Sequence, residues 1–263
     1  MRFVLVHGAA HGAWCWELLI PELVKLGHEA VAIDLPGAGE RSGEPASIAG
    51  YRDAVIDMME SGDVLVGHSM GSAVVAVAAD ARPDLVGHLC LVAGPLPVEG
   101  KPLSYQSTSP TVGGTAAAQD EEESAAERSM KFTEDGLAFY WDKEGARETF
   151  YGDCDDDIVD WATARLTPQP LAPVIEPIQL PNLAAADLPR SYVVCLQDRS
   201  FPPRPSRLQA RRLGVQPLTI NTSHSPFLSR PALFADLLVR GLDTPSLRPA
   251  SVDEDPFAAS ATG

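Results

Sequence analysis

The stretch VLVGHSMGSAVVAVAAD, residues 64–80, places a serine between two glycines, after an apolar run and before a pattern of small residues. The short apolar run is typical of a buried strand, and the spacing that follows is typical of a helix. Because glycine turns sharply without a Cβ clash, Ser69 would stand exposed between strand and helix. Ser69 is therefore either a nucleophile or a small residue at a tight turn.

Around this stretch, the first 95 residues alternate regularly between short apolar runs and helical patterns. The sequence predicts strands within 2–8, 28–39, 63–67 and 85–95, with helices over 13–27, 47–62 and 69–83 between them. Ser47 is a suitable N-cap for the second of these helices. The alternation implies a parallel sheet with helices on both faces.

The regularity stops at residue 95 and resumes near 190. Residues 96–189 are rich in Pro, Ala, Thr, Ser and acidic residues and contain a concentration of aromatic side chains between 132 and 161, which favours an inserted cap that is mainly helical. Residues 190–242 return to the pattern with a strand over 190–198, a helix over 204–214, a strand entering 215–227 and a closing helix over 225–242. The polar tail, 243–263, is predicted to be disordered. Residues 1–95 and 190–242 would form the core domain.

Composition limits the classes of partner. The net formal charge of −16 opposes binding to nucleic acid and to anionic membrane surfaces, so we expect a small-molecule substrate. The four cysteines form no C-x-x-C pair and, with the histidines, no zinc spacing, so we expect neither a metal nor another cofactor. The acidic run 153–157 lacks the glycine and spaced oxygens of a calcium loop. An N-terminus without a signal-peptide pattern and the absence of a long apolar run predict a cytoplasmic protein.

A nucleophilic serine needs a base, and the base needs an orienting acid. After a strand-to-helix turn of this kind, the expected chain order is serine, acid, histidine. Only His88 and His224 follow Ser69, and His88 lies within a predicted strand with no strand-end acid before it. His224 lies in the loop after the last predicted strand, and Asp198 ends the strand before that. The sequence predicts a Ser69–His224–Asp198 triad, with His88 in a structural role.

An oxyanion formed at the serine needs two backbone N–H donors. Met70 follows the serine and supplies one. The loop after the first strand reads HGAAHG, residues 7–12, and makes Ala9 the second candidate. Three side chains are further candidates for substrate binding: His11, His68 and Trp141.

These motifs resemble α/β-hydrolases of the plant methyl esterase and hydroxynitrile lyase type and their bacterial relatives. The resemblance rests on residues 3–39, which include HGAAHGAWCW, on VLVGHSMGS at 64–72, on YVVCLQD at 192–198 and on SHSPF at 223–227. It implies the same triad and oxyanion donors. It also implies an α/β-hydrolase fold with a mostly parallel, six-stranded sheet, an apolar cavity between core and cap and, in many relatives, a homodimer.

Two departures from the lyase pattern separate this chain from those members. The lyases carry a threonine at the position of Gly8 and a lysine directly after the catalytic histidine, where this chain has Ser225. That lysine stabilises the departing cyanide, so carbon–carbon bond cleavage is disfavoured. The sequence predicts a serine esterase acting on a small apolar or aromatic ester. The alternatives are a thioesterase, lactonase or cyclase of secondary metabolism and a ligand-binding protein without catalysis. The frequent Ala, Pro and Arg suggest a bacterial source.

Overall fold

One parallel sheet organises the chain in this computed structural model, which describes residues 1–105 and 124–243. Six strands form the sheet in the order β2-β1-β3-β4-β8-β9, and a separate antiparallel sheet contains β5, β6 and β7. All neighbouring strands of the large sheet are parallel, which confirms the predicted architecture. The strands are β1 (Arg2–Val6), β2 (Glu29–Ile33), β3 (Asp63–His68), β4 (Val86–Val92), β5 (Lys131–Phe132), β6 (Ala138–Tyr140), β7 (Gln169–Pro170), β8 (Arg190–Cys195) and β9 (Leu218–Ile220).

Helices cover both faces of the large sheet. The α-helices in the described ranges are α1 (Ile20–Lys25), α2 (Ile48–Met58), α3 (Met70–Ala81), α4 (Ala125–Ser129), α5 (Lys143–Phe150), α6 (Asp156–Thr163), α7 (Ala172–Ile175), α8 (Pro203–Leu213), α9 (Pro226–Ser229) and α10 (Pro231–Gly241). One apolar core packs the sheet against α2, α3 and α8, and a second packs it against α1, α10 and the cap. Burying both faces explains why β3 is apolar at consecutive positions rather than alternating.

Local sequence signals explain some of the helix ends. The predicted N-cap forms, since the Ser47 hydroxyl accepts a hydrogen bond from Gly50 N–H at 3.0 Å. The single helix predicted over 13–27 is wrong, because the chain forms a 3₁₀ helix over Ala13–Trp16 and then α1. The single closing helix is also wrong, because the backbone breaks at Arg230, directly before Pro231. Proline disfavours the helical conformation in the residue that precedes it.

The segment between β4 and β8, for which the sequence predicted a cap, carries the four helices α4 to α7 within the described residues. Its small sheet of β5, β6 and β7 was not predicted, because strands of two or three residues are too short to show an alternating pattern. Residues 106–123 of the predicted cap and the predicted disordered tail beyond residue 243 lie outside the described residues. Within the described ranges, no helix is long and apolar enough to cross a membrane.

The topology brings four loops to one edge of the sheet. Because the strands are parallel, all their carboxyl ends lie at the same edge. Ser69 follows β3, Asp198 lies three residues after β8, and His224 lies four residues after β9. The loop Gly8–His11 follows β1, which is the neighbour of β3 in the sheet. Ser69, Asp198, His224 and the loop Gly8–His11 therefore meet at this edge, although they come from distant parts of the sequence.

Candidate active site

Ser69 occupies a strained backbone conformation at the turn between β3 and α3. Its φ of +52° and ψ of −125° lie outside the conformations that ordinary residues prefer. The turn is held by a hydrogen bond from Ser69 N–H to the carbonyl oxygen of Val92 at 2.9 Å. Strain of this kind persists where the surrounding structure over-determines it, and it is common at functional sites.

Both glycines beside Ser69 are required by close backbone approaches. A Cβ on Gly67 would collide with the carbonyl group of Gly71, and a Cβ on Gly71 would lie 2.5 Å from the carbonyl oxygens of Val6 and His7. The first helical turn thus packs directly on β1 and β3. Ser69 remains partly exposed, whereas the residues immediately before and after it are buried.

His224 and Asp198 form a fully buried pair near this turn. The Nδ1 of His224 lies 2.7 Å from Oδ2 of Asp198, and both side chains have 0% exposure. The other oxygen of Asp198 accepts hydrogen bonds from the backbone N–H groups of Ser200 and Phe201, both at 2.8 Å. The carboxylate is therefore oriented from both sides, and it holds the His224 proton on Nδ1.

The second ring nitrogen of His224 is left as an acceptor. Its Nε2 is buried and has no hydrogen-bond partner among the described residues. The ring lies 4.5 Å, centroid to centroid, from that of His68, the residue directly before Ser69. A buried basic nitrogen at the edge where the strained serine stands is suited to accept a hydroxyl proton.

His68 lies behind the site and is completely buried. Its Nε2 donates to the backbone carbonyl of His224 at 2.8 Å, which links the turn after β3 to the loop after β9. Burial lowers the pKa of His68 well below its usual value, so the ring is neutral. This predicted substrate-binding residue has its ring directed to a backbone partner, and its Nδ1 has no partner among the described residues.

The two predicted oxyanion donors flank Ser69. Met70 is the first residue of α3, and the first N–H groups of a helix have no partner within the helix. Ala9 is partly exposed, and its N–H makes no hydrogen bond with the described residues, although its carbonyl does. A Cβ on Gly8 would lie 2.9 Å from Cβ of Ser69, so the loop passes directly beside the serine.

His11 and Trp141, the other predicted substrate-binding residues, are both buried. The Nδ1 of His11 donates to the Ala9 carbonyl at 2.8 Å, and the hydroxyl of Tyr151 in the cap donates to its Nε2 at 2.8 Å. Trp141 lies within the cap, where its Nε1 donates to the Ala126 carbonyl at 3.0 Å. His11 lies in the loop beside Ser69, whereas the ring of Phe150 lies between Trp141 and His224.

Phe150 and Tyr151 were missed by sequence reasoning as site residues. The Phe150 ring centroid lies 5.7 Å from that of His224, 5.2 Å from that of His11 and 4.8 Å from that of Trp141. The sequence showed aromatic side chains at these positions within the predicted cap but did not indicate which of them reach the core. The contacts of Phe150 with His11 and with His224 join residues that are far apart in the sequence, and they follow from the placement of the cap.

The acidic run 153–157 has structural partners. Asp156 and Asp157 lie in the first turn of α6, where negative charge is favourable, and Asp156 pairs with Arg147 at 2.6 Å. Asp153 accepts a hydrogen bond from the hydroxyl of Ser223. Across the described ranges, no group of three or more His, Cys, Asp or Glu side chains is arranged to hold a metal ion.

Comparison with known proteins agrees with this architecture. The profile of the alpha/beta hydrolase family matches residues 3–237. The chain belongs to this family. Methylesterase 18 of Arabidopsis thaliana is 28% identical over 246 residues, covering 88% of this chain and 92% of the relative. Norfluorocurarine synthase 1 of a Strychnos species is 26% identical over 244 residues, covering 88% of this chain and 91% of the relative.

A solved structure supports the fold of this family member. A pyrethroid hydrolase from Sphingobium faniae JZ-2 superimposes with a TM-score of 0.77 at 24% identity, covering 93% of this chain and 98% of that chain. At this identity the likeness establishes the α/β-hydrolase fold alone. The curated relatives include plant methylesterases, as the resemblance in the sequence implied, and they indicate ester hydrolysis as the general chemistry.

Proposed function

We propose that this α/β-hydrolase cleaves carboxylic esters with Ser69 as nucleophile, His224 as general base and Asp198 as the orienting acid. The observation that carries the proposal is the buried His224–Asp198 pair, which leaves Nε2 of His224 without a partner beside the turn that presents Ser69. A hydrogen-bonded carboxylate stabilises the imidazolium that forms when Nε2 accepts a proton. The first step therefore becomes possible without an external base.

In the acylation half, Nε2 of His224 takes the proton from the Ser69 hydroxyl while its oxygen attacks the ester carbonyl carbon. The N–H groups of Ala9 and Met70 stabilise the negative charge that develops on the carbonyl oxygen. The tetrahedral intermediate collapses by breaking the bond to the alcohol oxygen, which leaves with the proton from His224. An acyl group then remains on Ser69.

In the deacylation half, His224 takes a proton from water, whose oxygen attacks the acyl carbon. The Ser69–acyl bond breaks, Ser69 regains its proton from His224, and the carboxylic acid is released. Asp198 remains ionised throughout and holds the imidazole in one orientation. The chain supplies every proton transfer in this cycle.

The charges near the site favour an uncharged substrate. Burial lowers the pKa of His11 to about 3 and that of His68 well below its usual value, so both rings are neutral at neutral pH. Asp198 and the net charge of −16 disfavour an anionic ester. Together with the aromatic ring of Phe150 beside His224, these features favour a neutral, largely apolar acyl group.

The direct test is turnover of p-nitrophenyl acetate and butyrate by the parent protein and by Ser69→Ala. We expect p-nitrophenol release from both esters in the parent and loss of that release in the variant. Ser61→Ala is the matched control, because Ser61 is exposed before β3, at the opposite edge of the sheet. It should retain the parent rate.

Two outcomes would redirect the proposal. Turnover of a butyryl thioester but of neither oxygen ester would favour the thioesterase alternative with the same residues. No turnover in a folded parent, together with equal ligand affinity in the parent and in Ser69→Ala, would overturn catalysis and favour a binding protein.

A further inference from the structure

The loop Gly8–His11 beside Ser69 has each of its first three carbonyls held by a different donor. The Gly8 carbonyl accepts from Nδ1 of His7 at 2.8 Å, and the Ala9 carbonyl accepts from Nδ1 of His11 at 2.8 Å. The Ala10 carbonyl accepts from the N–H of Thr167 at 3.0 Å. Ala10 itself has a φ of +63°, so the loop is held in a left-handed conformation that alanine rarely adopts.

Two of the groups that hold the strained Ala10 belong to the cap. Besides the Thr167 contact, the Ala10 N–H donates to Oε1 of Gln169 at 3.2 Å. The orientation of the Gln169 amide is set by its other end, since Nε2 donates to the Tyr51 hydroxyl at 3.0 Å. Gln169 has an exposure of only 2%, so solvent does not compete for these bonds.

A second connection runs from the cap through His11. The Ala9 carbonyl can only accept, so the proton of His11 lies on Nδ1, and Nε2 is the acceptor for the Tyr151 hydroxyl. Burial lowers the pKa of His11 to about 3 and raises that of Tyr151 well above its usual value. Both groups therefore keep these donor and acceptor roles over the whole range in which the protein would work.

We propose that Tyr151 and Gln169 are positioning residues that set the direction of the Ala9 N–H, so that the oxyanion hole is complete only when the cap is seated. The inference rests on the proposed function, in which that N–H binds the oxyanion. The Gly8–Ala9 peptide carries this N–H, and its Gly8 carbonyl is held by His7. The next peptide, Ala9–Ala10, is anchored by the cap at both its carbonyl and its N–H. The Ala9 N–H itself makes no hydrogen bond within the described residues. The cap would thus act on catalysis through the loop beside Ser69.

The test compares Tyr151→Phe and Gln169→Met with matched changes elsewhere in the cap. Tyr140→Phe removes a hydroxyl that makes no hydrogen bond with the described residues, and Gln179→Met changes an exposed glutamine. Active sites are counted by titration with a fluorophosphonate, and kcat is expressed per active site. Because loss of an oxyanion donor lowers kcat by about 10²- to 10³-fold, we expect misdirection to lower kcat by about ten-fold or more.

A positioning role also predicts which parameters stay constant. KM should change less than about two-fold, whereas the inhibition constant of a boronic acid that forms a tetrahedral adduct should rise by about the same factor as kcat falls. Gln169→Glu keeps an acceptor for the Ala10 N–H, so its kcat should lie closer to that of the parent than the kcat of Gln169→Met.

A purely structural role of Tyr151 and Gln169 would give a different result. Variants with fewer titratable sites or a lower Tm, but with the parent kcat per active site, would show that Tyr151 and Gln169 only stabilise the fold and would overturn the inference. If one variant does not fold, the other decides by the same criterion. A parent without Ser69-dependent turnover would instead overturn the proposed function, and this inference with it.

Discussion

The two histidines that follow Ser69 in the chain are both buried, but they lie at opposite edges of the sheet. His88 is near the start of β4, and its Nε2 is 2.8 Å from the hydroxyl of Ser191 at the start of β8. His224 is in the loop after β9, with Nδ1 on Asp198 and Nε2 without a partner among the described residues. His88 thus has a neutral partner far from Ser69, and His224 has an anionic partner close to it.

The difference lies in which partner each imidazole has. A hydroxyl partner does not stabilise an imidazolium as a carboxylate does, and burial lowers the pKa of His88 to about 4. His88 therefore remains a neutral part of the core. Two histidines of equal burial can be separated into a structural and a candidate catalytic residue by the charge of the partner and by the edge of the sheet.

Removing each imidazole tests this comparison most strongly. His224→Gln should lower kcat for p-nitrophenyl butyrate by roughly 10⁶-fold, since loss of the base in a comparable triad has an effect of that size. His88→Gln should leave kcat within about two-fold of the parent. Steady-state rates of both purified variants provide the measurement, and a comparable loss of rate in both would end the distinction.

Changing the partner of each histidine should give a smaller effect. Asp198→Asn keeps the shape of the side chain but removes the charge that stabilises the imidazolium, so kcat should fall by roughly 10⁴-fold. Ser191→Ala should leave kcat unchanged and cost about 1–3 kcal/mol of stability, because a buried nitrogen of His88 loses its partner. Rates and urea unfolding separate the two effects. A full rate in Asp198→Asn would argue against the triad.

The smallest expected effect concerns stability against pH. Because the pKa of His88 is about 4 in the folded chain and about 6.5 in the unfolded chain, only the unfolded state binds a proton between these values. The contribution of His88 to the free energy of unfolding is fully present above pH 6.5 and is lost as the pH falls toward 4. In His88→Gln, the slope of unfolding free energy against pH should therefore decrease by about 1.4 kcal/mol per unit in this window.

Urea unfolding of the parent and of His88→Gln at pH 7.5, 6 and 5 measures this slope. The other titrating groups are common to both proteins, so they cancel in the difference. Parallel curves for the two proteins would contradict the assignment of His88 as a histidine that is neutral when folded.

The core was predictable because its signals are local. Consecutive apolar residues in β1 and β3, the Ser47 cap of α2 and the glycines around Ser69 each report on a few neighbouring positions. Pro231 carries a further local signal, since a proline within the predicted closing helix marks the break that the structure shows at Arg230. The short strands of the cap gave no comparable signal, because their stability comes from pairing and packing.

The candidate site was likewise predictable only in part. Chain order and strand ends were enough to select Ser69, Asp198 and His224, because a parallel sheet places the ends of its strands together. The contacts of Tyr151 with His11 and of Gln169 with Ala10 join positions 140 and 159 residues apart. No periodicity or motif in the sequence links positions so far apart.

The α/β-hydrolase fold and the candidate triad could be predicted from local signals, since strand-to-helix patterning and the turn at Ser69 depend on local backbone preferences. Three contacts are visible only in the folded chain: His88 pairs with Ser191, His68 supports the loop of His224, and the cap holds the loop beside Ser69. The physical reason is that a hydrogen bond or a pKa shift depends on which groups meet in a buried space. That meeting is set by the packing of the whole chain.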